Sequence, residues 1–216
     1  MFAAKNAMLG SSGPAVAYGA TGPGGSGAST AISYTHTPAA ADNCVVAGIS
    51  SYSYSAVPGN PTYGGTTFGS PLIALNVASE DLWMYVWALK ITAGQGAKTV
   101  AFTNNSGYNC ANTLSYSGVG SIGTANSTSQ SSNAISIGTG ANPGGVAVLI
   151  GAVFSTSSTQ TWTSPVNSRW VKNGVSGVNE GGLMGDVLSP VNSYDYGYSS
   201  SGSGGLGLGY VQLLPV

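Results

Sequence analysis

The segment Asp81–Thr103 contains a strand that is apolar on both faces. Aliphatic and aromatic side chains alternate along Leu82–Leu89 (LWMYVWAL), so neither side of an extended chain here is polar. A strand of this kind lies inside a core rather than at a solvent-facing surface. The sequence therefore predicts a domain built from stacked sheets, with this strand at its centre.

The same segment predicts a turn and a second strand. Gly94 and Gly96 can adopt positive φ angles, and Lys98–Thr103 (KTVAFT) resumes the alternation of a strand. We expect the two strands to be antiparallel neighbours joined by this turn.

Similar short alternating segments, separated by Gly, Asn and Pro turns, recur along the chain, and none has the periodicity of a helix. One of them, Gly145–Phe154, is again apolar on both faces. We interpret the polar segment Ser121–Ser132 and the glycine-containing segment 173–192 as loops. The pattern predicts an all-β fold, a two-sheet antiparallel β-sandwich. A jelly roll is the first choice of topology, and an immunoglobulin-type sandwich the second.

The N-terminal residues differ from the rest. Residues 1–30 are rich in Gly, Ser, Ala and Pro and contain few side chains that form a core. We divide the chain into an extended N-terminal arm, residues 1–30, and a β-sandwich domain, residues 31–216.

The charge of the chain is unusually low. Charged residues are 5 % of the 216 residues, against about 25 % in ordinary soluble domains. Such a surface has little repulsion between copies, which favours a protein held in an assembly. Five Lys and Arg residues form no basic stripe, so we expect no nucleic-acid partner. No apolar run is long enough for a membrane span, and the first residues lack the apolar region of a secretory signal.

The two cysteines leave two alternatives open. A bridge between Cys44 and Cys110 would add about 4 kcal/mol by constraining the unfolded chain. The other reading, which we favour, is a pair of buried free thiols.

Few residues suit catalysis or metal binding. His36 is the only histidine, and we place it on a solvated strand face, away from any catalytic triad. The acids that we consider for calcium binding are Glu180, Asp186 and Asp195. For glycoside hydrolysis we consider Glu180 paired with Asp186 or Asp195. No EF-hand spacing links them, and we expect no catalytic residue, no metal and no cofactor.

Aromatic side chains are the better candidates for a contact surface. Tyr194, Tyr196 and Tyr198 fall on one face of a strand, and Tyr52 and Tyr54 form a shorter stripe. Flat tyrosine faces stack on sugar rings, pack between subunits or cover a core. We favour the core or a subunit interface over sugar binding.

The order of several motifs resembles a known module. These are Tyr63-Gly64-Gly65, the strand Leu82–Leu89, Ala93-Gly94 before Lys98-Thr99-Val100, and Leu114–Val119 (LSYSGV). Over Asp42–Val119 the chain is similar to a β-sandwich module in virion proteins of tailed bacteriophages, particularly those infecting actinobacteria. The resemblance implies a minor tail protein or another structural protein of the particle, and implies no catalytic residue.

We therefore expect a minor tail protein located in the virion, with other virion proteins as partners. It would assemble through the N-terminal arm and uncharged faces and form a homo-oligomer, with a trimer as the first choice. A capsid decoration protein is the alternative. The alternative from another class is a carbohydrate-binding module for a bacterial surface glycan.

Overall fold

The computed structural model describes residues 13–28, 31–52, 59–77, 81–103, 107–154, 159–173, 180–191 and 194–216. Within these residues the chain forms sixteen β-strands and no helix. The strands are β1 (Ala17–Thr21), β2 (Gly25–Gly27), β3 (Ala31–His36), β4 (Asp42–Tyr52), β5 (Thr62–Tyr63), β6 (Thr66–Thr67), β7 (Ile73–Asn76), β8 (Leu82–Lys90), β9 (Lys98–Thr103), β10 (Tyr108–Ser117), β11 (Val119–Gly138), β12 (Val146–Phe154), β13 (Gln160–Trp162), β14 (Asn167–Lys172), β15 (Glu180–Leu188) and β16 (Asp195–Pro215).

The strands form three antiparallel sheets. The central sheet has the order β1-β10-β4-β8-β7, with β2 also paired to β10. The long sheet has the order β11-β16-β12-β15-β14, with β13 paired to β16, and the small sheet has the order β3-β9-β5-β6. The predicted all-β antiparallel sandwich is confirmed, and the small sheet adds a third layer that the sequence did not indicate. The jelly-roll arrangement stays a prediction.

Strand β8 lies between two layers of core, as its sequence predicted. Leu82, Met84 and Val86 pack in the cluster between the central and long sheets. Tyr85 and Trp87 pack in the cluster between the central and small sheets. Each face of β8 is therefore covered by a different sheet.

The predicted pairing of β8 with the strand after it is wrong. Strand β8 pairs with β4 and β7, whereas β9 pairs with β3 and β5 in the small sheet. The intervening turn has Gly94 and Gly96 at positive φ, as expected, but it carries the chain from one layer to another. Two apolar faces make β8 a central strand, and both of its edges are already occupied.

Two strands lie where we expected loops. Residues 121–132 belong to β11, a strand of 20 residues at the edge of the long sheet. Residues 180–188 form β15, which is buried between β12 and β14. Strand β15 contains three glycines, which interrupt the alternation of side chains by which a strand is predicted. Glycine is needed here for its small size, since a Cβ at Gly185 would lie 2.8 Å from Val166 Cγ1 and 2.9 Å from the Asn167 carbonyl oxygen.

A third core cluster covers the outer face of the long sheet. Strand β16 bends between its two halves: β11 residue Ser132 pairs with Gly204, but Ala134 pairs with Ser199. The first half of β16 consequently folds over its own sheet, and the Tyr198 hydroxyl lies 2.7 Å from the Ala152 carbonyl oxygen.

The described part of the predicted arm belongs to the sandwich. Strands β1 and β2 pair with β10, Val16 is buried in the main core, and the Gly22 amide donates to the Thr113 carbonyl oxygen at 2.8 Å. Residues 1–12, 29 and 30 lie outside the described residues. As far as the structure describes it, the arm is therefore not separate from the domain.

Candidate functional site

The tyrosine stripe at the start of β16, with Tyr194 just before the strand, points mostly inward. Tyr196 is 1 % exposed and Tyr198 is fully buried, whereas Tyr194 is 56 % exposed. Tyr196 and Tyr198 belong to the third core cluster because the first half of β16 bends over the long sheet. These two rings are core residues, so only Tyr194 keeps a face that a sugar or a protein can contact.

The second stripe is only partly described. Tyr52 is half-buried and stacks on Phe154 with ring centroids 5.0 Å apart. Tyr54 lies outside the described residues. Tyr52 thus helps to close the interface between the central and long sheets rather than forming an open aromatic platform.

The cysteines are free and buried. They lie on paired strands, but Cys110 is opposite Ser50, and Cys44 is opposite Tyr116. At ~3.4 Å per residue, this register places the two thiols about 20 Å apart, far beyond the reach of a disulfide. Burial raises the pKa of both thiols, so neither is a reactive thiolate.

The acids considered for hydrolysis or calcium are not assembled into a site. Glu180 and Asp186 are fully buried at opposite ends of β15, about 20 Å apart by strand geometry, whereas Asp195 is exposed. Paired carboxylates of glycosidases lie within about 10 Å of each other across an open cleft. Among the described residues there is no group of three His, Cys, Asp or Glu that could hold a metal ion.

His36 is fully buried, not on a solvated face as we expected. Its Nε2 lies 3.1 Å from Ser115 Oγ, and its Nδ1 lies 3.0 Å from Thr113 Oγ1. The Ser115 hydroxyl donates to Asp42 Oδ2 at 2.6 Å, so it accepts a hydrogen bond from His36 Nε2–H. His36 Nδ1 is then the acceptor for the Thr113 hydroxyl, which itself accepts from the Tyr34 hydroxyl at 3.3 Å.

This buried cluster contains a serine, a histidine and an acid, but not in the order of a catalytic triad. In a triad the serine hydroxyl is hydrogen-bonded to a histidine that takes its proton, and the acid orients that histidine. Here Ser115 lies between His36 and Asp42 and donates to the acid. Burial lowers the pKa of His36 to about 4, so the ring is neutral at physiological pH.

Backbone from the N-terminal strands closes over the cluster. A Cβ at Gly19 would lie 2.0 Å from both carboxylate oxygens of Asp42. A Cβ at Gly22 would lie 2.7 Å from Thr113 Oγ1 and 2.9 Å from His36 Nδ1. Glycine is required at both positions because the chain passes directly over these side chains. The cluster thus anchors the N-terminal segment to β10.

An ion pair between the half-buried Arg169 and the buried Asp186 lies where the two main sheets meet. Asp186 accepts from Arg169 Nε at 2.8 Å, Arg169 Nη2 at 3.0 Å, Asn167 Nδ2 at 3.0 Å and the Tyr116 hydroxyl at 3.1 Å. The guanidinium also stacks 3.7 Å above the Tyr18 ring. This contact joins residues of four strands, and neither the spacing of these residues in the sequence nor the alternation of polar and apolar side chains indicated it.

Burial of these acids leaves the surface with few charges. Of the described acidic residues, Asp42, Glu180 and Asp186 are buried, and Asp81 and Asp195 are exposed. Lys90 and Lys172 are exposed, while Lys98 and Arg169 are half-buried. The described surface consists mainly of Ser, Thr, Asn, Gly and backbone.

Strand β11 is the largest uncharged feature of that surface. Its residues contain no Lys, Arg, Asp, Glu or Pro over the full length Val119–Gly138. In the described part of the chain it pairs on one side only, with β16. Its other side presents backbone donors and acceptors that a further strand can bind.

In the described ranges no helix is both long and apolar enough to cross a membrane. No protein-family model matches the sequence, no curated protein is similar to it, and no solved structure matches its fold.

Proposed function

We propose that this protein is a structural component of a tailed-phage virion, a minor tail protein that joins its neighbours through uncharged surfaces. The observation that carries the proposal is the nearly charge-free surface with its long unprotected edge strand, β11. Two surfaces without charged side chains can associate without electrostatic repulsion and without desolvating charged groups. The resemblance over Asp42–Val119 supplies the class of particle.

The buried polar groups support a structural role. His36, Ser115 and Asp42 bind one another beneath Gly19 and Gly22 rather than lining a cleft. The ion pair of Arg169 and Asp186 lies within the long sheet, and the Tyr116 hydroxyl joins it to the central sheet. In each case the polar chemistry is used to hold strands together.

Labelling of purified particles tests the proposal. Gold-conjugated antibody against this protein, viewed by electron microscopy, is expected to mark the tail. Label over the head instead would identify a capsid decoration protein, the alternative within the same class. The absence of label on particles that carry a labelled control protein would overturn the virion proposal.

The N-terminal residues need a narrower test than removal of the whole predicted arm. Deleting residues 1–30 would remove β1, β2 and the buried Val16, and so would damage the sandwich itself. Deletion of residues 1–12 leaves all described contacts in place. If these residues engage a neighbour, the truncated protein keeps its circular dichroism spectrum and melting temperature but is lost from particles. Normal incorporation would show that they are not needed for assembly.

A second candidate function is binding of a bacterial surface glycan. A cavity of about 230 Å³ lies beside the bend of β16, lined by Gln130, Ala134, Ile135, Ser136, Thr163 and Tyr198. The exposed side chains of Gln130, Ser136 and Thr163 offer uncharged hydrogen-bonding groups that suit a sugar ring, whereas the Tyr198 ring is buried in the core. Purified host cell-wall glycan should bind the wild-type protein and bind Ser136→Ala more weakly, with Ser33→Ala as the control. Equal binding by both variants would remove this cavity as a glycan site.

A further inference from the structure

The free edge of β11 differs from every other sheet edge in the described part of the molecule. The other edge strands β1, β3, β6, β7 and β14 have six residues or fewer, and β14 carries Arg169 and Lys172. Strand β11 has 20 residues without a charged side chain or a proline. Natural proteins usually protect a long edge with charges, prolines or short length, because unprotected edges pair with other chains.

The middle of β11 is the part best suited to pairing. Its register against β16 is irregular at three places but continuous from Ala125 to Ser132. These eight residues span about 26 Å at ~3.3 Å per residue. Side chains on one face of this stretch are Asn126, Thr128, Gln130 and Ser132, and the other face carries Ala125 and three serines.

Local side chains cap some backbone groups along this edge. Asn126 Oδ1 accepts from the Ser127 amide at 2.8 Å, and Ser132 Oγ accepts from the Ala134 amide at 3.3 Å. The Gln130 side-chain amide donates to the Ala134 carbonyl oxygen. All three bonds are exposed, so they exchange readily with water and can be replaced by the backbone of an incoming strand.

We propose that residues 125–132 of β11 pair antiparallel with the same segment of a second copy of this chain. Among the described strands, only β11 offers a sheet edge this long without a charged side chain, so a second copy supplies a matching edge by symmetry. A twofold axis brings identical segments together in antiparallel order, the commonest arrangement of homodimers. With a net charge of −1 per chain, two copies meet without strong repulsion.

Strand β7 of the central sheet lies beside β11 of the long sheet. Ser129 Oγ donates to the Asn76 carbonyl oxygen at 3.5 Å, which places the end of β7 beside the middle of β11. Strand β7 is itself an edge of the central sheet. Pairing through β11 therefore brings the β7 edges of two copies near each other and extends the contact from one sheet to both.

This inference deepens the proposed function, on which it rests for its biological setting, by naming the partner and the surface. Its test uses the full-length purified chain. Sedimentation equilibrium is expected to show a concentration-dependent dimer, and the amides of residues 125–132 are expected to exchange more slowly in the dimer than on dilution. A monomer at all concentrations, or a trimer, would overturn the inference. So would a monomer with protected β11 amides, since another segment of the same chain would then cover the edge.

Charge variants identify the surface. In an antiparallel pair centred near Thr128, position 126 of one copy lies opposite position 130 of the other. Asn126→Lys with Gln130→Lys is expected to abolish the dimer, because like charges then oppose each other. Asn126→Lys with Gln130→Glu is expected to retain it, because opposite charges then meet. The control pair Ser33→Lys and Thr99→Lys adds the same two charges to the small sheet and is expected to leave the dimer intact.

The outcomes separate this inference from the proposed function. A dimer that survives the two-lysine variant of β11, or is lost in the control pair, would exclude β11 as the interface even if labelled particles show a virion protein. Conversely, a β11-dependent dimer with no label on particles would leave the inference standing and overturn the virion proposal.

Discussion

Arg169 and Asp186 form a bidentate ion pair, with Nε to Oδ2 at 2.8 Å and Nη2 to Oδ1 at 3.0 Å. The pair joins β14 to β15 within the long sheet. The Tyr116 hydroxyl reaches the same carboxylate from β10, and the Tyr18 ring from β1 stacks on the guanidinium. One contact therefore ties the N-terminal strand and both main sheets together.

Replacing Arg169 by Ala should destabilise the protein strongly. Asp186 is fully buried, and it would lose two of its four donors and the only cationic partner that it has among the described residues. We expect a loss of about 3–5 kcal/mol in the free energy of unfolding, measured by urea denaturation.

Lys172 is the matched control for this prediction. It lies on the same strand, β14, but is exposed. Lys172→Ala should change the free energy of unfolding by less than about 0.5 kcal/mol. Equal effects of the two substitutions would mean that the ion pair contributes nothing beyond the removal of a surface cation.

Tyr198 of β16 and Tyr194, which precedes the strand, should respond differently to loss of the hydroxyl. The Tyr198 hydroxyl lies 2.7 Å from the Ala152 carbonyl oxygen and 3.1 Å from that of Gly207, and it is fully buried. Tyr198→Phe should cost about 1–2 kcal/mol because buried carbonyl groups lose a donor. Tyr194→Phe should have almost no effect on the melting temperature, since Tyr194 is exposed. Unchanged stability of Tyr198→Phe would show that the hydrogen bonds of this hydroxyl contribute nothing to the fold.

His36 should make the protein less stable as the pH falls. Its pKa is about 4 in the folded state because of burial, against 6.5 ordinarily. Between these values the unfolded chain binds a proton that the folded chain does not, so protonation favours unfolding. Wild type should lose on the order of 2 kcal/mol between pH 6.5 and pH 4 relative to His36→Gln, which cannot titrate.

Parallel denaturation series on the two proteins at each pH measure this difference directly. The carboxylates titrate in both proteins, so their contribution cancels in the comparison. If the free energy of unfolding depends on pH identically in wild type and His36→Gln, the His36 ring takes up a proton as readily in the folded state as in the unfolded state.

Glu180 should have the opposite dependence. Burial raises the pKa of its carboxyl well above the usual 4.5, with the Ser50 hydroxyl donating to Oε1 at 2.5 Å. The folded state therefore holds a proton that the unfolded state releases above pH 4.5, and this lowers stability at neutral pH. Glu180→Gln keeps an acceptor for Ser50 and should make the protein more stable than wild type at pH 7.

The advantage of Glu180→Gln should disappear as the pH falls below 4.5, where wild-type Glu180 is protonated in both states. Thermal melts at pH 7 and pH 4 measure it. Asp195→Asn is the control: Asp195 is exposed, so this substitution should leave the melting temperature unchanged at both pH values. A destabilised Glu180→Gln protein at pH 7 would indicate that the carboxylate is ionised and bound in the folded state.

Strands with a buried face could be predicted, and strands without a regular buried face could not. Alternation along Leu82–Leu89 and Gly145–Phe154 correctly identified two core strands, β8 and β12. The middle of β11 is exposed or half-buried, so its polar sequence has the composition of a loop. Strand β15 is buried but contains glycines where neighbouring side chains leave no room, and its pattern is lost for that reason.

By itself the sequence determined the class of fold, the two-faced core strand, the scarcity of charge and the shared face of Tyr196 and Tyr198, because each of these depends on residues close together in the chain. Tertiary structure decided which sheet covers each face of β8 and that the tyrosine face turns inward. It also brought His36 to Ser115 and Arg169 to Tyr18. These contacts join residues far apart in sequence, and they depend on which strands pair, a choice that the alternation of side chains within one strand does not specify.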